Sequence, residues 1–322
     1  MQVVTDLSRP LWPVVDGRPG AHRSVVTIGA YDGVHRGHQA VIGAVRERAT
    51  ALGAHSVVVT FDRHPASVVR PESAPKLLTD LDQKLELLAA TGVDATVLVR
   101  FDPQQAAESP EAFIERVLVG CLGARQVVVG EDFHFGNRRR GNVALLRSMG
   151  AQFDFEVEPL DLVARPDGVD EPVSSTAIRR AMAGGQVELA ASLLGHPFQA
   201  RGIVVQGDQR GRAIGFPTAN VEVPSVTCLP ADGVYAGWYI RPSGERQPCA
   251  INLGRRPTFY EHADHSLLEA HLIDFHGELY GEHAKVEFTH FLRSERKFDG
   301  IDALVNQLKH DVDHARSLLV AD

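Results

Sequence analysis

The chain lacks the features that mark membrane, secreted and general nucleic-acid-binding proteins. No apolar run reaches the roughly 18 residues that a membrane-spanning helix needs, and the N-terminus has no charged-then-apolar secretory signal. The three cysteines lie far apart without a CxxC pair, which favours a reducing compartment and argues against a cysteine-rich zinc site. The net charge of −8 argues against broad binding to nucleic acid. We therefore expect a cytoplasmic protein with neither a membrane nor a nucleic acid as its partner.

Two common nucleotide-binding signatures are also missing. The run Gly29–Gly33 lacks the GxGxxG spacing of dinucleotide-binding turns, and the glycine-rich segment 207–220 contains no GxxxxGK[ST] loop. An NAD-dependent dehydrogenase is therefore a weak hypothesis.

The first half of the chain alternates short apolar runs with amphipathic stretches. This alternation predicts a Rossmann-like, doubly wound parallel sheet, in which ligands bind at the carboxyl ends of the strands. Ser109 as N-cap and Pro110 at the first helical position give a clear helix start. The predicted strands are Val25–Ile28, Ser56–Phe61, Ala95–Val99 and Gln126–Gly130, and the predicted helices are Gln39–Leu52, Asp80–Ala90 and Pro110–Leu122.

The pattern changes after about Gly185. Apolar segments separated by glycine and proline predict a small antiparallel β-barrel or sandwich, and a final helix with one apolar face should pack against it. With 322 residues, the chain is long enough for two domains. We therefore predict domains at residues 1–186 and 187–322. The predicted strands are Gly202–Gln206, Gly233–Ile240, Ala250–Leu253, Leu267–Asp274 and Ala284–Phe291.

Four short motifs in the first half could converge on one phosphate site. The run Gly29–His38 follows a predicted strand and opens a predicted helix, where backbone N–H groups and the helix dipole favour anions. Segments 60–65 and 130–136 follow two further strands, and Ser174 starts a short helix that carries Arg179 in its early turns. Each motif alone reads equally well as a turn or a helix cap. The basic run Arg138–Arg140 is more typical of a surface loop.

Two segments in the second half bear hard oxygen ligands and a carboxylate. Thr218 and Asn220 are two residues apart, so their oxygens face one side of an extended chain and suit Mg²⁺ held with phosphates. Glu269 and His271 face away from the apolar row of their strand. Taken alone, these residues read as a local turn cap and an exposed strand carboxylate.

The ordered set of motifs in the first half resembles the nucleotidylyltransferase module of bacterial bifunctional riboflavin kinase/FAD synthetases. The shared motifs are GxxDGVHRGHQ, TFDxHP, VGEDFxFG and VSSTxIR. The resemblance implies transfer of AMP from ATP to FMN, with His35 and His38 stabilising charge on the α-phosphate and Arg179 holding the outgoing phosphates. The remaining ATP- and phosphate-binding residues that it implies are Gly29, Asp32, Gly37, Asp132, Ser174, Ser175 and Thr176.

The second half resembles the riboflavin kinase module of the same family. The shared segments end in PTAN at Asn220 and include EAHLxDF, which begins at Glu269. The resemblance implies a small barrel in which Glu269 orients the riboflavin 5′-hydroxyl and takes its proton, while Thr218 and Asn220 hold Mg²⁺. The implied ATP- and flavin-binding residues are Gly207, Arg212, Gly215, Pro217 and Arg293.

Three functional hypotheses follow. The leading one is a bifunctional enzyme that makes FMN and then FAD from riboflavin and ATP, with Mg²⁺ serving both steps and small molecules as its partners. A second is that one module has lost its activity, which the intact His35, His38 and Glu269 argue against. A third is a flavin-binding carrier without ATP turnover. The sequence leaves open whether the chain forms a homo-oligomer.

Overall fold

The computed structural model describes residues 1–12, 23–207, 210–255 and 266–320. Their contacts divide the chain into two units, Met1–Val173 and Ser174–Asp322. The domain boundary between residues 186 and 187 stays a prediction. In the described part, no helix combines the length and hydropathy needed to cross a bilayer.

A parallel sheet forms the centre of the first unit. Its strands are β1 (Gln2–Val4), β2 (Ser24–Ile28), β3 (His55–Phe61), β4 (Ala95–Val99), β5 (Ala124–Gly130) and β8 (Glu156–Leu160), and a small separate ladder pairs β6 (His134–Phe135) with β7 (Gly141–Asn142). The six strands are parallel and follow the order β1-β4-β3-β2-β5-β8. All residues of β2 are buried, in keeping with its apolar residues Val25, Val26 and Ile28. Because β2 lies between β3 and β5, the strand order changes direction there and opens a crevice at the carboxyl ends.

Helices cover both faces of this sheet, and three of the helical segments match the predicted helices 39–52, 80–90 and 110–122 to within three residues at each end. They are α1 (Arg36–Leu52), α2 (Ala66–Val69), α3 (Leu81–Ala90), α4 (Pro103–Ala107), α5 (Pro110–Phe113), which continues as a π-helix (Ile114–Cys121), and α6 (Val143–Phe153), with 3₁₀ turns at Pro71–Ser73 and Asn137–Arg139. Ser109 caps α5 by accepting from the Ala112 N–H group, as predicted. In α1, Val45 and Ala49 of the predicted apolar stripe are buried against Val25 and Val128.

A closed antiparallel barrel forms the second unit. Its helices are α7 (Ser175–Ala183), α8 (Val187–Leu194), α9 (Arg210–Ala213) and α10 (Ile301–Leu319), and its strands are β9 (Phe198–Val205), β10 (Ala219–Glu222), β11 (Gly233–Ile240), β12 (Arg246–Arg255), β13 (Ser266–Leu272) and β14 (His283–Arg293). The order around the barrel is β10-β13-β12-β11-β14-β9. Tyr235, Tyr239, Phe198 and Phe288 are fully buried in this unit.

The C-terminal helix α10 packs on the outside of the barrel, as its apolar face predicts. Ala315 and Leu319 form a buried cluster with Ala236 of β11 and Ala250 of β12. The α/β class of the first unit, the barrel of the second and the final helix are all confirmed. The strand β10 was not predicted, because its four residues form no recognisable apolar run.

Candidate functional site

The loop of residues 29–35, here called the histidine loop, joins β2 to α1 through an unusual backbone. Tyr31 and Val34 have φ values of 52° and 39°, which side chains with a Cβ seldom adopt. A Cβ atom on Gly29 would lie 2.9 Å from the Tyr31 ring, so only glycine fits beneath it. The Tyr31 hydroxyl lies 2.8 Å from Thr27 Oγ1 and fixes the ring. The loop thus turns sharply at the carboxyl end of β2.

His35 and His38 come together at the start of α1. His35 is the N-cap residue, and its Nδ1 accepts a hydrogen bond from the His38 backbone N–H group at 3.3 Å. The two imidazole rings stack with centroids 3.6 Å apart and an angle of 17° between their planes. A Cβ atom on Gly37 would lie 3.2 Å from the His35 ring, so glycine allows the close packing. The predicted pair of histidines therefore stands at a helix N-terminus, where anions are favoured.

The environment of His38 keeps its imidazole neutral. Burial lowers the pKa of His38 well below its usual value, and the charges of His35 and Lys84 act in the same direction. The Nδ1 atom of His38 is shielded from solvent and has no hydrogen-bond partner among the described residues. A neutral imidazole still donates one N–H, so this ring can offer a hydrogen bond without carrying a charge into the site.

Asp32 braces the histidine loop. Its buried carboxylate accepts hydrogen bonds from the Leu78 and Thr79 backbone N–H groups, each at 3.0 Å, and from the Thr79 hydroxyl at 3.2 Å. The same hydroxyl accepts from the Gly33 N–H group at 3.1 Å. The structure places this carboxylate among protein donors, so its role in ATP binding stays a prediction.

A cavity of about 1050 Å³ opens at the carboxyl ends of the same strands. Gly29 and Asp132, two of the predicted site residues, line it, whereas His35 and His38 are absent from its lining. Arg138 and Arg139 also line it, with φ values of 53° and 57°. Its aromatic lining consists of Phe61, Phe101, Phe113, Phe133 and Phe135. Such walls suit a flat apolar ring with a polar tail. Sequence reasoning did not predict this lining, because the rings come from β3, the segment after β4, α5 and residues 133–135, which only the fold brings together.

The serine-rich motif forms the capped helix start that was predicted. Ser174 is the N-cap of α7, and its Oγ accepts from the Ala177 N–H group at 3.1 Å. Ser175 and Thr176 lie in the first turn, and Arg179 follows in the same helix. These residues belong to the second unit, so their convergence with the histidine loop stays a prediction.

The barrel carries a row of polar side chains on its outer face. Asn220 of β10 lies directly opposite Glu269 of β13, and Glu269 lies opposite Asn252 of β12. Directly opposed residues share one face of an antiparallel sheet. Their neighbours Ala219 and Leu268 are buried on the other face, so the row points away from the barrel interior. Sequence reasoning did not single out Asn252, which lies within the predicted strand Ala250–Leu253.

Asn220 is the residue of this row with an unsatisfied polar atom. Asn220 is buried, and its Oδ1 has no hydrogen-bond partner among the described residues. A Cβ atom on Gly207 would lie 2.4 Å from the Asn220 amide nitrogen. Because Gly207 has no side chain, there is space for the Asn220 amide beside it. An unpaired buried carbonyl oxygen is costly unless something binds it, and a hard cation would satisfy it.

The loop before β10 is tied to β13. Pro217 O lies 2.8 Å from Nδ1 of His271, whose ring also contacts Phe216. Gly215 has a φ of 89°, which makes the turn after α9. Arg212 is exposed in that helix, and Thr218 immediately precedes β10. Residues 208 and 209 of the glycine-rich segment 207–220 lie outside the described residues.

Arg293 has a structural partner in the same unit. Its guanidinium donates to both carboxylate oxygens of Asp311 in α10, at 2.8 to 3.1 Å, and to Ser294 O at 3.0 Å. Asp311 is buried and also accepts from Gln307 at 2.7 Å. The structure thus places Arg293 at the junction of β14 and α10, and its predicted nearness to flavin stays a prediction.

A Rossmann-like sheet with a histidine pair at its switch point, followed by a barrel with an asparagine–glutamate row, is typical of a two-part nucleotide-dependent transferase. Residues 18–177 match the family model of FAD synthetase, and residues 194–319 match that of riboflavin kinase. The bifunctional riboflavin kinase/FMN adenylyltransferase of Listeria monocytogenes is 39% identical over 295 residues, which cover 91% of each chain. The enzyme of the same name from Escherichia coli K12 is 39% identical over 287 residues, 89% of this chain and 90% of its own.

One solved structure shares the fold over most of the chain. It is described as a macrolide-efflux protein from Streptococcus pneumoniae, and it matches with a TM-score of 0.82 and 32% identity over 92% of this chain and 94% of its own. The chain belongs to the bifunctional riboflavin kinase/FMN adenylyltransferase family. It phosphorylates riboflavin to FMN with ATP, and it then transfers AMP from ATP to FMN, which gives FAD and pyrophosphate.

Proposed function

We propose that His35 and His38 form the adenylyl-transfer centre. The observation that carries this assignment is the stacked histidine pair at the N-terminus of α1, beside the switch point of the sheet. A phosphate oxygen of FMN attacks the α-phosphorus of ATP, one P–O bond forms, and the bond to the departing pyrophosphate breaks. Imidazole and backbone N–H groups then hold the negative charge that gathers on the α-phosphate oxygens. No protein nucleophile takes part, because the FMN phosphate is itself the nucleophile.

The aromatic cavity is our candidate for the flavin ring. Gly29 lies in its wall and also begins the histidine loop, so a ring bound there would direct its phosphate tail toward α1. Asp132 lies in the same wall, and in this proposal it lies close to the bound nucleotide. In this proposal Ser174, Ser175, Thr176 and Arg179 hold the departing pyrophosphate through hydroxyl, N–H and guanidinium groups.

We propose that Glu269 is the base of the kinase reaction and that Thr218 and Asn220 hold Mg²⁺. The unpaired, buried Oδ1 of Asn220 supports this fit, because carbonyl oxygen is a ligand that Mg²⁺ accepts. The described residues contain no group of three or more His, Cys, Asp and Glu that could hold a metal, so phosphate oxygens would complete the shell. When bound, Mg²⁺ neutralises charge on the transferred phosphate. Glu269 orients the riboflavin 5′-hydroxyl and takes its proton as the oxygen attacks the γ-phosphorus of ATP, whose bond to the departing ADP breaks.

The proposed cover over the ATP phosphates and the flavin consists of Gly207, Arg212, Gly215 and Pro217. Gly207 packs on the Asn220 amide and His271 holds the Pro217 carbonyl, so the loop and the polar row belong to one local structure.

We also propose a cytoplasmic location. The supporting observation is that Cys121, Cys228 and Cys249 are all free and buried.

Two variants test the separation of the sites in the full-length protein. We expect His38→Ala to slow FAD synthesis about 100-fold or more and to leave riboflavin phosphorylation unchanged, since it removes a charge-stabilising donor from one site alone. We expect Glu269→Ala to slow FMN formation by about 100-fold or more and to leave FAD synthesis from supplied FMN unchanged. Chromatographic time courses of riboflavin, FMN and FAD measure both rates.

The exposed residues His283 and Glu222 provide matched controls. His283→Ala and Glu222→Ala should retain both activities. Loss of both activities in a folded His38→Ala or Glu269→Ala protein would contradict the assignment of separate centres.

A further inference from the structure

The segment Leu78–Lys84 forms hydrogen bonds to the histidine loop. Its first two residues donate to the Asp32 carboxylate, as described above. Its last residue, Lys84, lies in α3 and is only 6% exposed. The proposed chemistry uses none of these groups directly, and Lys84 is absent from the lining of the aromatic cavity.

The Lys84 ammonium joins two strand ends. Its Nζ donates to the carbonyl oxygen of Phe61 at 2.7 Å and to that of Ala30 at 3.5 Å. Phe61 is the last residue of β3, and Ala30 follows β2 within the histidine loop. The Thr60 hydroxyl donates to the same Ala30 oxygen at 3.1 Å. One charged group therefore connects α3, the end of β3 and the loop that leads to His35.

The burial of this ammonium is costly, so the charge itself needs an explanation. Burial lowers the pKa of Lys84 to about 8, while the carboxylates of Asp32 and Asp62 act in the opposite direction. The Lys84 charge also contributes to the lowered pKa of His38, which lies in α1. An apolar side chain would fill the space without this cost, but it would leave the two carbonyl oxygens without the ammonium donor.

We propose that Lys84 is a positioning residue for adenylyl transfer, whose ammonium fixes the ends of β2 and β3 so that the histidine loop presents His38 to the α-phosphate. This role rests on the proposed function of His38. Lys84 acts through the loop and exchanges no proton with the substrates. Misplacement of a reacting group by about 1 Å can cost on the order of 100-fold in rate, so a clamp of this kind affects kcat strongly.

Steady-state kinetics of the full-length protein test the proposal, with Lys84→Met and Lys84→Arg as variants. We expect Lys84→Met to lower kcat for FAD synthesis from FMN by about tenfold or more, with KM for FMN and ATP changed by less than about threefold. Riboflavin phosphorylation by the same molecules should keep its wild-type rate. Lys76→Met removes an exposed lysine of the preceding loop and should leave both reactions unchanged.

The pH profile gives a readout that a merely structural lysine would not change. Because the clamp needs the protonated amine, the wild-type kcat for FAD synthesis should fall as pH rises through about 8. The charged and titratable groups that interact with Lys84 are Asp32, Asp62 and His38, and burial lowers the pKa of His38 well below its usual value. A guanidinium stays charged above pH 10, so Lys84→Arg should retain activity and lose this fall.

Two results would overturn the proposal. One is a Lys84→Met protein with wild-type kcat for FAD synthesis. The other, decisive even where Lys84→Met fails to fold, is a Lys84→Arg protein whose rate still falls through pH 8 as the wild type does. His38→Ala is measured in parallel. If that variant makes FAD normally, the proposed function of His38 fails, which is a result separate from the Lys84 kinetics.

Discussion

At the scale of single residues, the absence of a side chain at Gly207 determines how this glycine packs against Asn220 in the proposed kinase site. Gly207 has no side chain, and the space that a Cβ atom would occupy lies against the Asn220 amide. In the first unit, Gly29 has the same relation to Tyr31. In both proposed sites, a glycine thus lets a polar or aromatic side chain take up its position.

At this scale we predict that Gly207→Ala selectively impairs the kinase. The new methyl group would displace the Asn220 amide, so riboflavin phosphorylation should fall about tenfold or more and need a higher Mg²⁺ concentration. FAD synthesis from FMN should be unchanged. Kinase assays at graded Mg²⁺ concentrations measure the effect.

Gly184→Ala is the matched control, because a Cβ there meets its neighbours only at 3.5 Å or more. It should behave as wild type. If the Gly207→Ala protein phosphorylates riboflavin at the normal rate and with normal Mg²⁺ dependence, the Asn220 amide does not bind the metal.

At the scale of elements, sequence patterns predicted best where burial is continuous. The strands β2 to β5 form long apolar runs in the centre of the sheet, and α10 shows a regular apolar face. The edge strands β1 and β8 were missed, because β1 has three residues and β8 is half-buried with a proline. Edge strands need no continuous apolar run, so their pairing depends on the fold as a whole.

The motifs in the sequence predicted the candidate site residues, but they did not predict which other residues these side chains contact. The stacking of His35 on His38 follows from their spacing at a helix start. The burial of Lys84 could not be predicted, since a lysine in an amphipathic helix normally points to solvent. The pairing of Arg293 with Asp311 likewise depends on where α10 packs against the barrel.

The ion pair between Arg293 and Asp311 gives a prediction about α10. Both side chains are largely buried, with 19% and 6% exposed, so removing one partner leaves an uncompensated charge. We expect Asp311→Ala to lower the free energy of unfolding of the second unit by about 3–5 kcal/mol. Thermal and urea unfolding curves of the full-length protein measure the loss.

Asp313→Ala provides the comparison within the same helix. Asp313 pairs with Arg316 at the surface, and its side chain is 73% exposed. Such a pair contributes little, so this variant should stay within about 0.5 kcal/mol of wild type. Equal stabilities of the two variants would show that the buried pair does not anchor α10.

At the scale of the whole molecule, the histidine pair and the asparagine–glutamate row belong to units with separate cores. One core surrounds the parallel sheet, and the other fills the barrel. Each proposed centre has its own phosphate-binding elements, and FMN is both the product of one and the substrate of the other. An enzyme of this kind needs both activities, but it does not need both in the same molecule.

We therefore predict that two impaired variants complement each other in solution. Glu269→Ala should make FMN, and His38→Ala should convert it to FAD, about 100-fold or more slowly than wild type, yet their mixture should convert riboflavin to FAD much faster than either variant alone. Because FMN leaves one molecule before it binds the other, the rate should rise with protein concentration and show a lag while FMN accumulates. A mixture that accumulates FMN without FAD, although Glu269→Ala alone adenylylates supplied FMN, would contradict free exchange and show that FMN stays bound to the molecule that makes it.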